Sequence, residues 1–504
     1  MSIKQNINVN PAPLTKEEAA LIEPETKVLL CGLMQCRNLG DVVISDCVKY
    51  LLKKSAKKDG LNNVKISTLD IRRQKDKKNL NRVRNSDLVI FPGGGFIKYK
   101  AEKFPLEMGR VTDRAEHYGI PVMYNAMGFE GFDSENEGCK TLKAMLENTS
   151  SRYITSRDFS DKLNETYLKD TTLTSVRVAD PAMWVSETYK IKRNPDSDVV
   201  GLGVARGGLF EDHGVPVTKD DLLNIWSDII KSLEAEGTKY RLFTNGLRQD
   251  EEFLTDLLVY IGKEDKREEV SLPSAENAKQ LVEYISGFSS LIATRMHANI
   301  IAFSLGIPSV AFVWNDKLRF FGESIGCKDR YLEYTQLKDT DHILNMLKKA
   351  QVEGYEEGVL KREKASAYKS VRDFFSPFAK ELLINRRRDL SKKKLVCYGL
   401  PNLESPKLND EFFENFIDYY VTDNPEFAGT KCLGKPVYLS KKLRKLVKPF
   451  VIVSETVEYP DCLKVLEKYK YKEKFDFTNM HSYTRYVYKK GEVFLSEPKE
   501  SVVK

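Results

Sequence analysis

The sequence predicts an α/β protein built on parallel sheets. The main observation is that short apolar runs alternate with longer segments of helical periodicity, which is typical of strand–helix–strand units. A length of 504 residues suggests two to four domains. The hydrophobic content of 41% suits globular cores rather than disorder.

The first α/β unit is predicted over residues 25–186. Its opening strand, TKVLLCGL at 26–33, leads through a loop into the apolar-periodic helix VVISDCVKYLLKK. Further strands are predicted, in chain order, at 64–70, 86–96, 119–128, 151–158 and 175–185. A polar segment at 186–198 then indicates a linker.

A second α/β unit is predicted over residues 198–355. Its strands are predicted at 199–205, 239–244, 269–272, 290–293 and 308–313, and its helices near 219–236, 248–262, 275–287 and 297–305. Residues 356–390 are predicted to form a helical connection that can cross back over the first domain. A small α/β module is predicted at 392–490.

Composition excludes several classes of function. The net charge of +7 is mild for this length and does not indicate a nucleic-acid partner. Two basic runs, at 384–394 and 440–448, are interpreted as solvated faces, with peripheral contact to an anionic membrane surface as the alternative. The eight cysteines form no C-x-x-C pair, so neither a disulfide framework nor a metal site is predicted.

The chain is expected to be soluble and cytoplasmic. The first 24 residues are polar and lack the apolar segment of a secretory signal. No run approaches the roughly 20 apolar residues that span a bilayer. Location at the inner face of the membrane stays open because of the basic runs.

Two loops that follow predicted strands carry candidate ligand-binding residues. In CRNLGD, Asp41 is interpreted either as a helix N-cap or, with Asn38 and Gly40, as part of a cleft in which it acts as a base. In FPGGGF, the glycines at 93, 94 and 95 let the backbone approach a ligand closely.

A third loop, in ATRMHANIIAFSLGIP, places Arg295 and His297 at a predicted helix start. Unpaired N–H groups and the helix dipole favour an anion there, and an arginine adds a bidentate donor. A histidine balanced between that dipole and a bound dianion can transfer a proton near neutral pH. Lys317, after the next strand, is a candidate second cation for the same ligand.

Two further residues follow predicted strands of the second unit. Arg206 follows VVGLGVA, and Asn245 follows RLFT. In an open parallel sheet such positions face the ligand crevice. Both are therefore candidates for binding the same anion.

Five motifs in order resemble the polysaccharide pyruvyl transferase family over about residues 25–350. The most specific is R-x-H-x-x-I-x-A-x-x-x-G-x-P from Arg295 to Pro308, with Lys317 after it. The others are NLGD (38–41), DLVIFPGGG (87–95), SRDFS (156–160) and ADPAMWV (179–185).

The resemblance implies two Rossmann-like domains facing across a cleft, similar to GT-B glycosyltransferases, with the acceptor on the first domain and the donor on the second. It implies phosphoenolpyruvate as co-substrate without another cofactor, and a sugar of a capsule, exopolysaccharide or lipid-linked precursor as acceptor. The product is a cyclic pyruvate ketal, and phosphate leaves. On that chemistry His297 is the candidate general acid and Asp41 a candidate base. Donor contacts are assigned to Arg295, Lys317, Arg206 and Asn245, and acceptor contacts to Asn38, Gly40, Gly93, Gly94 and Gly95.

Two alternatives remain at this stage: a GT-B glycosyltransferase that uses a nucleotide sugar, and a non-catalytic scaffold of glycan assembly. The last unit resembles modules appended to sugar acyltransferases and some methyltransferases. It keeps only Gly399 where those modules have a glycine-rich turn, which disfavours nucleotide binding. An assembly role, through homo-oligomers or glycan-assembly partners, is expected instead.

Overall fold

Three sheets organise the protein: two are parallel, and the third is parallel except for its antiparallel edge strand. The computed structural model describes residues 26–34, 38–61, 64–73, 77–98, 103–387, 394–401, 417–444, 448–473, 476–479, 488–489 and 492–493. Each sheet falls within one of the predicted domain ranges. The expectation of two Rossmann-like domains and a small third α/β module is confirmed.

The first domain is a seven-stranded sheet with helices on its faces. Its strands are β1 (Thr26–Gly32), β2 (Val64–Asp70), β3 (Leu88–Phe91), β4 (Gly94–Ile97), β5 (Val122–Phe129), β6 (Ser151–Ser156) and β7 (Val176–Arg177), and its helices are α1 (Leu39–Lys58), α2 (Lys77–Arg84), α3 (Lys103–His117), α4 (Glu137–Glu147), α5 (Ser160–Glu165) and α6 (Val185–Tyr189). The strand order is β2-β1-β3-β5-β6-β7, and β4 pairs with β5. All four residues of β3 are buried, as expected of a parallel strand covered on both faces.

The second domain is a five-stranded parallel sheet. Its strands are β8 (Val200–Gly203), β9 (Tyr240–Phe243), β10 (Ser290–Ala293), β11 (Ser309–Phe312) and β12 (Tyr331–Leu332), and its helices are α7 (Lys219–Ala235), α8 (Arg248–Tyr260), α9 (Arg267–Val270), α10 (Ala278–Ser286), α11 (Met296–Ser304), α12 (Asp316–Ser324) and α13 (Thr340–Glu353). The strand order is β12-β11-β10-β8-β9. The sheet therefore begins at its centre and grows outward on both sides, which places a topological switch point beside β8 and β10.

An apolar seam joins the two domains. Leu39, Val43 and Met183 of the first domain belong to one buried cluster with Ala298 and Ile301 of the second. Burying a leucine or isoleucine side chain contributes about 1.5–3 kcal/mol. Several such side chains outweigh exposed ion pairs, which contribute about 0–1 kcal/mol each.

A long helix, α14 (Val359–Arg387), returns from the second domain to the first. Val371 and Phe375 pack into the cluster that contains Val28, Val48 and Met123. No helix among the described residues is both long and apolar enough to cross a membrane. The 29 residues of α14 have the length but carry many charged side chains.

The third module is a separate sheet that docks on the first domain. Its elements are β13 (Leu395–Tyr398), β14 (Tyr419–Thr422), β15 (Lys431–Cys432), β16 (Lys435–Leu439), β17 (Phe450–Val453), α15 (Tyr459–Lys468) and β18 (Phe477–Asn479), with the hairpin β19 (Tyr488–Lys489) and β20 (Glu492–Val493) after them. The strand order of the sheet is β15-β16-β14-β13-β17-β18. The docking contacts include the Tyr459 ring against Gly119 and an Arg152–Glu473 ion pair at 3.3 Å. Because Gly119 and Arg152 lie at the amino ends of β5 and β6, the module sits opposite the edge where the strands end.

Two predicted strands are wrong. The segment 175–185 forms only the two-residue β7, because Asp180 accepts from the Ala182 N–H at 2.9 Å and starts a turn of 3₁₀-helix at Pro181. The segment 269–272 enters a helical turn at Arg267–Val270, and only Ser271 bridges to Leu242. The exposed charges of the turn disfavour a buried central strand.

Gly119→Ala should destabilise the protein through the docking contact. Gly119 has φ +64°, and a Cβ there would lie 2.5 Å from the Tyr459 ring. Gly60 has φ +77° with nothing near a Cβ, so Gly60→Ala measures the backbone strain alone, about 1–2 kcal/mol. In urea unfolding, Gly119→Ala should cost about 1–3 kcal/mol more than Gly60→Ala. The excess should disappear in a Tyr459→Ala background; equal costs for both alanine variants would contradict the packing argument.

Candidate active site

The candidate site lies where the carboxyl ends of the two sheets face each other. Loops after parallel strands line the ligand crevice of open α/β sheets. The first domain presents the loops after β1, β3, β5, β6 and β7, and the second presents those after β8 to β11. The Leu39 N–H donates to the Asn245 carbonyl at 3.2 Å, so the two sets of loops are in direct contact.

His297 is at the centre of this contact. It is the second residue of α11 and only 8% exposed. Gly40, in the first turn of α1, packs so tightly on the imidazole that a Cβ there would lie 2.3 Å from Nδ1. Glycine at 40 therefore lets the starts of two helices from different domains meet.

A buried arginine connects His297 to two aspartates. Arg157 Nη1 donates to Asp180 Oδ2 at 2.5 Å and lies 3.5 Å from His297 Nε2. Asp180 Oδ2 is 4.0 Å from the same histidine nitrogen. Asp158 Oδ2 lies 3.9 Å from Arg157 Nε. Neither of these last two atoms has a hydrogen-bond partner among the described residues.

The charges around His297 act against each other. Burial lowers the pKa of His297 below its ordinary value. Asp180 and Asp41 raise that pKa, whereas Arg157 and Arg295 lower it further. The net effect is a lowered pKa, which favours a neutral imidazole that can accept a proton.

Lys317 and Glu130 form an ion pair across the domain interface. Lys317 lies at the start of α12, is 5% exposed, and pairs with the carboxylate that follows β5. Burial lowers the pKa of Lys317, although Glu130 and Asp158 oppose this effect. Burial by itself would raise the pKa of Glu130, but Lys317 and Lys98 outweigh it, so that pKa is lowered.

The glycine loop lies between Asp41 and Lys317. A Cβ on Gly94 would be 3.4 Å from Asp41 Oδ1, and a Cβ on Gly95 would be 3.1 Å from Lys317 Nζ. Gly93 and Gly94 have φ values of +127° and +124°, which side chains rarely adopt. Gly94 and Gly95, predicted to contact the acceptor, therefore lie close to Lys317, predicted to contact the donor.

The interpretation of Asp41 as the N-cap is wrong. Asn38 occupies the cap position, and its side chain makes no capping hydrogen bond. Asp41 lies in the first turn of α1, where its Oδ2 accepts from Asn38 Nδ2 at 2.8 Å. The carboxylate is therefore a side-chain neighbour of His297 rather than a ligand of backbone N–H groups.

The structure places Arg295 in an internal ion pair. Its Nε donates to Asp250 Oδ2 at 2.9 Å, and its Nη2 donates to Oδ1 of the same carboxylate. Asp250 is fully buried. The prediction of a bidentate contact between Arg295 and a ligand anion is therefore revised, because a protein carboxylate already takes that face.

Arg206 and Asn245 differ in whether their side chains already have a partner within the protein. The Arg206 guanidinium pairs with Asp212, and its backbone N–H donates to Asp250 at 3.0 Å. The geometry thus gives the Arg206 side chain an acidic partner in its own domain. Asn245 is buried, and its Nδ2 has no hydrogen-bond partner among the described residues.

A narrow cavity lies next to Arg157 and its two aspartates. Its walls include Arg157, Asp158, Asp180, Met296 and Phe320, drawn from both domains. It has room for about one water molecule. Among the described residues, no group of three histidine, cysteine or acidic side chains is arranged to hold a metal ion.

A family model described as Polysaccharide pyruvyl transferase matches residues 38–316, more than half of the chain. The chain belongs to this family. The matched range begins at Asn38 and ends at Asp316, so it includes the Gly40–His297 contact and Arg157. No curated protein sequence matches the chain.

Solved structures with similar architecture share little sequence with this family member. The UDP-GlcNAc 2-epimerase from Methanocaldococcus jannaschii has a TM-score of 0.45 and 11% identity, covering 69% of this chain and 99% of its own. The Neisseria meningitidis UDP-GlcNAc 2-epimerase bound to UDP-GlcNAc has a TM-score of 0.41 and 12% identity, covering 71% and 100%. The E. coli heptosyltransferase WaaC with ADP has a TM-score of 0.31 and 14% identity, covering 57% and 87%.

Apart from Asp41, the acidic residues of this site and its buried arginine were not among the residues that the sequence singled out. Arg157, Asp158 and Asp180 lie in the SRDFS and ADPAMWV segments, which served only as family motifs. The position of these segments at strand ends was an available signal. Glu130, directly after β5, had the same signal, whereas Asp250 lies within α8 and had none. The pairing of each with a cation distant in sequence gave no local signal.

The imidazole of His297 should titrate below its ordinary pKa of about 6.5, because burial disfavours the imidazolium. Asp180→Asn should lower that pKa further by removing a nearby negative charge. Histidine-selective NMR titration measures both values, and loss of a signal in His297→Asn assigns the resonance. Asp228→Asn, on the surface of α7, is the control and should leave the value unchanged. A His297 pKa that rises in Asp180→Asn would contradict the assignment of charges.

Proposed function

We propose that the protein transfers pyruvate from phosphoenolpyruvate to two hydroxyls of a sugar, forming a cyclic ketal and releasing phosphate. The acceptor belongs to a surface polysaccharide or its lipid-linked precursor. Family membership supports transfer to a polysaccharide. The meeting of Arg157, His297 and Lys317 from both domains is the observation that carries the donor assignment.

The donor is a small molecule with a carboxylate and a phosphate, so it needs several cations at close range. Arg157 has an unpartnered Nε beside the narrow cavity, and Lys317 is a buried ammonium held by one carboxylate. The start of α11 adds N–H groups and the positive end of a helix dipole. Arg295 is assigned a positioning role, since Asp250 holds its guanidinium.

The cavity is too small for this donor in the arrangement described, so binding requires the domains to separate. Opening would break the Lys317–Glu130 pair and free the ammonium for an anion of the substrate. In the unliganded protein, the Glu130 carboxylate therefore occupies the position of the substrate anion and keeps Lys317 paired. Leaving Lys317 buried and unpaired would be costly.

His297 is suited to act as a general base and then a general acid in this reaction. The lowered pKa favours a neutral ring that accepts a proton from a hydroxyl. A bound phosphate would raise the pKa again, and the ring could then return the proton to the departing group. Asp41, beside the same ring, remains a candidate base for a hydroxyl.

Purified protein should release phosphate only when both phosphoenolpyruvate and acceptor are present. The acceptor is glycan isolated from cells that lack the protein, and mass spectrometry should find one pyruvyl ketal added per modified sugar. Parallel reactions with nucleotide sugars test the glycosyltransferase alternative. Release of a nucleoside diphosphate without phosphoenolpyruvate dependence would sink the proposal.

Removing the imidazole and the ammonium should have different effects. His297→Ala should reduce turnover by about 10²–10⁴-fold, the usual contribution of general acid–base help. Lys317→Ala should weaken phosphoenolpyruvate binding by about 10–100-fold, which corresponds to a lost charge-assisted hydrogen bond. Steady-state kinetics and calorimetric titration separate the two effects. Lys328→Ala, an exposed lysine of the same domain, is the control and should match wild type; equal donor affinity in Lys317→Ala would remove Lys317 from the donor site.

Gly40→Ala should impair turnover by displacing His297. The added Cβ would lie 2.3 and 2.4 Å from two imidazole atoms and 2.5 Å from the Cβ of His297, so the ring or the helix start must shift. Gly109→Ala is the matched control, because Gly109 is also helical and a Cβ there meets only Thr141 at 3.8 Å. We expect at least a tenfold loss of kcat for the first variant, as misplacement of about 1 Å costs up to 10²-fold. Wild-type kcat in Gly40→Ala would show that the imidazole position is not critical.

A further inference from the structure

The proposed function requires two protons to be moved from hydroxyls to the donor, and His297 alone cannot account for both. In forming the ketal, two sugar hydroxyls each lose a proton. The methylene carbon of the donor gains one proton to become a methyl group, and the departing phosphate gains the other. Two relays, each taking a proton from a hydroxyl and returning it to the donor, balance the reaction.

Asp158 is the buried acidic side chain whose surroundings fit a second relay. The residue is 1% exposed and follows β6, on the wall of the narrow cavity. Its Oδ1 accepts from the Phe129 N–H at 2.7 Å, which fixes the carboxyl group. Its Oδ2 has no hydrogen-bond partner among the described residues, and an unmet buried oxygen of this kind needs a ligand or a water.

The position of Asp158 is complementary to that of His297. The Arg157 guanidinium lies between them, with Nη1 3.5 Å from His297 Nε2 and Nε 3.9 Å from Asp158 Oδ2. Once the domains close over it, an anion bound by Arg157 would therefore have the carboxyl on one side and the imidazole on the other. The next residue, Phe159, has φ +40°, a costly conformation for an aromatic residue, and its ring packs against Phe320 of the cavity wall.

The pKa values of Asp158 and His297 are shifted in opposite directions. Burial raises the pKa of Asp158, although Lys317 and Arg157 oppose this effect and Glu130 adds to it. Burial lowers the pKa of His297, with Asp180 and Asp41 opposing and Arg157 and Arg295 reinforcing. A carboxyl with a raised pKa near an imidazole with a lowered pKa is the pattern expected of an acid and a base that work together.

We propose that Asp158 is a second proton-transfer residue of the ketal reaction, distinct from His297, a role that rests on the proposed function. The Asp158 carboxyl gives its proton to the methylene carbon, and the C=C electrons form the new C–H bond. One sugar hydroxyl then bonds to the resulting cationic carbon and returns its proton to the Asp158 carboxylate.

His297 serves the second half of the reaction. The second hydroxyl attacks the same carbon to close the ring and gives its proton to the neutral imidazole. The bond between that carbon and the phosphate oxygen breaks, and the imidazolium returns the proton to the departing phosphate. Both residues end in the protonation state in which they began, so the two halves balance.

The test compares Asp158→Asn with Asp161→Asn, an exposed aspartate three residues away. Asparagine keeps an oxygen for the Phe129 N–H but cannot donate an acidic proton. Asp158→Asn should lower kcat by about 10²–10⁴-fold and leave phosphoenolpyruvate affinity unchanged, whereas Asp161→Asn should match wild type. If Asp158 only supports Arg157 and Lys317, donor affinity would fall instead, and the proposal would be overturned.

Two further variants provide the test if Asp158→Asn does not fold. Asp158→Glu keeps the acid but moves it by one methylene, so its pH–rate profile should shift from that of wild type while donor binding persists. In Asp158→Ala, formate should restore part of the turnover, in proportion to its protonated fraction. A wild-type pH profile in the glutamate variant overturns the inference.

The outcome also separates this inference from the proposed function. Wild-type protein that releases no phosphate from phosphoenolpyruvate with acceptor contradicts the proposed function itself. Active wild type with an equally active Asp158→Asn leaves the proposed function intact and removes Asp158 alone from the mechanism.

Discussion

The close approach of two helix starts through Gly40 is the constraint on which the site depends. Any side chain at 40 would overlap the imidazole of His297, so the two domains could not meet in this arrangement. The apolar seam of Leu39, Val43 and Ile301 supplies the free energy that holds the helices together. Packing, rather than charge, therefore brings the ends of the two sheets face to face.

Charge then determines what this junction can bind. Each of its buried cations is paired with a carboxylate: Arg157 with Asp180, Arg295 with Asp250, and Lys317 with Glu130. Buried ion pairs contribute little net stability, because desolvation offsets their attraction. Their retention at the ends of strands suits a site that exchanges an internal anion for a substrate anion, with Glu130 the most exposed of the three carboxylates.

The third module lies away from this junction. It contacts the amino ends of β5 and β6, through Gly119 and Arg152, whereas the site is built on the carboxyl ends. The two regions therefore share the first domain without sharing a surface.

Apart from the segments 175–185 and 269–272, the sequence by itself determined the alternation of strands and helices. It also placed His297, Lys317 and the glycine loop in the turns and helix starts that follow strands, because apolar periodicity and glycine placement are local signals. It did not determine which acids meet which bases. The partners of Arg295 and Lys317 lie 45 and 187 residues away, so only the folded chain could place Asp250 and Glu130 beside them. Likewise the Gly40 contact with His297 joins residues from separate domains. Long-range packing brings such residues together, and no spacing along the chain encodes it.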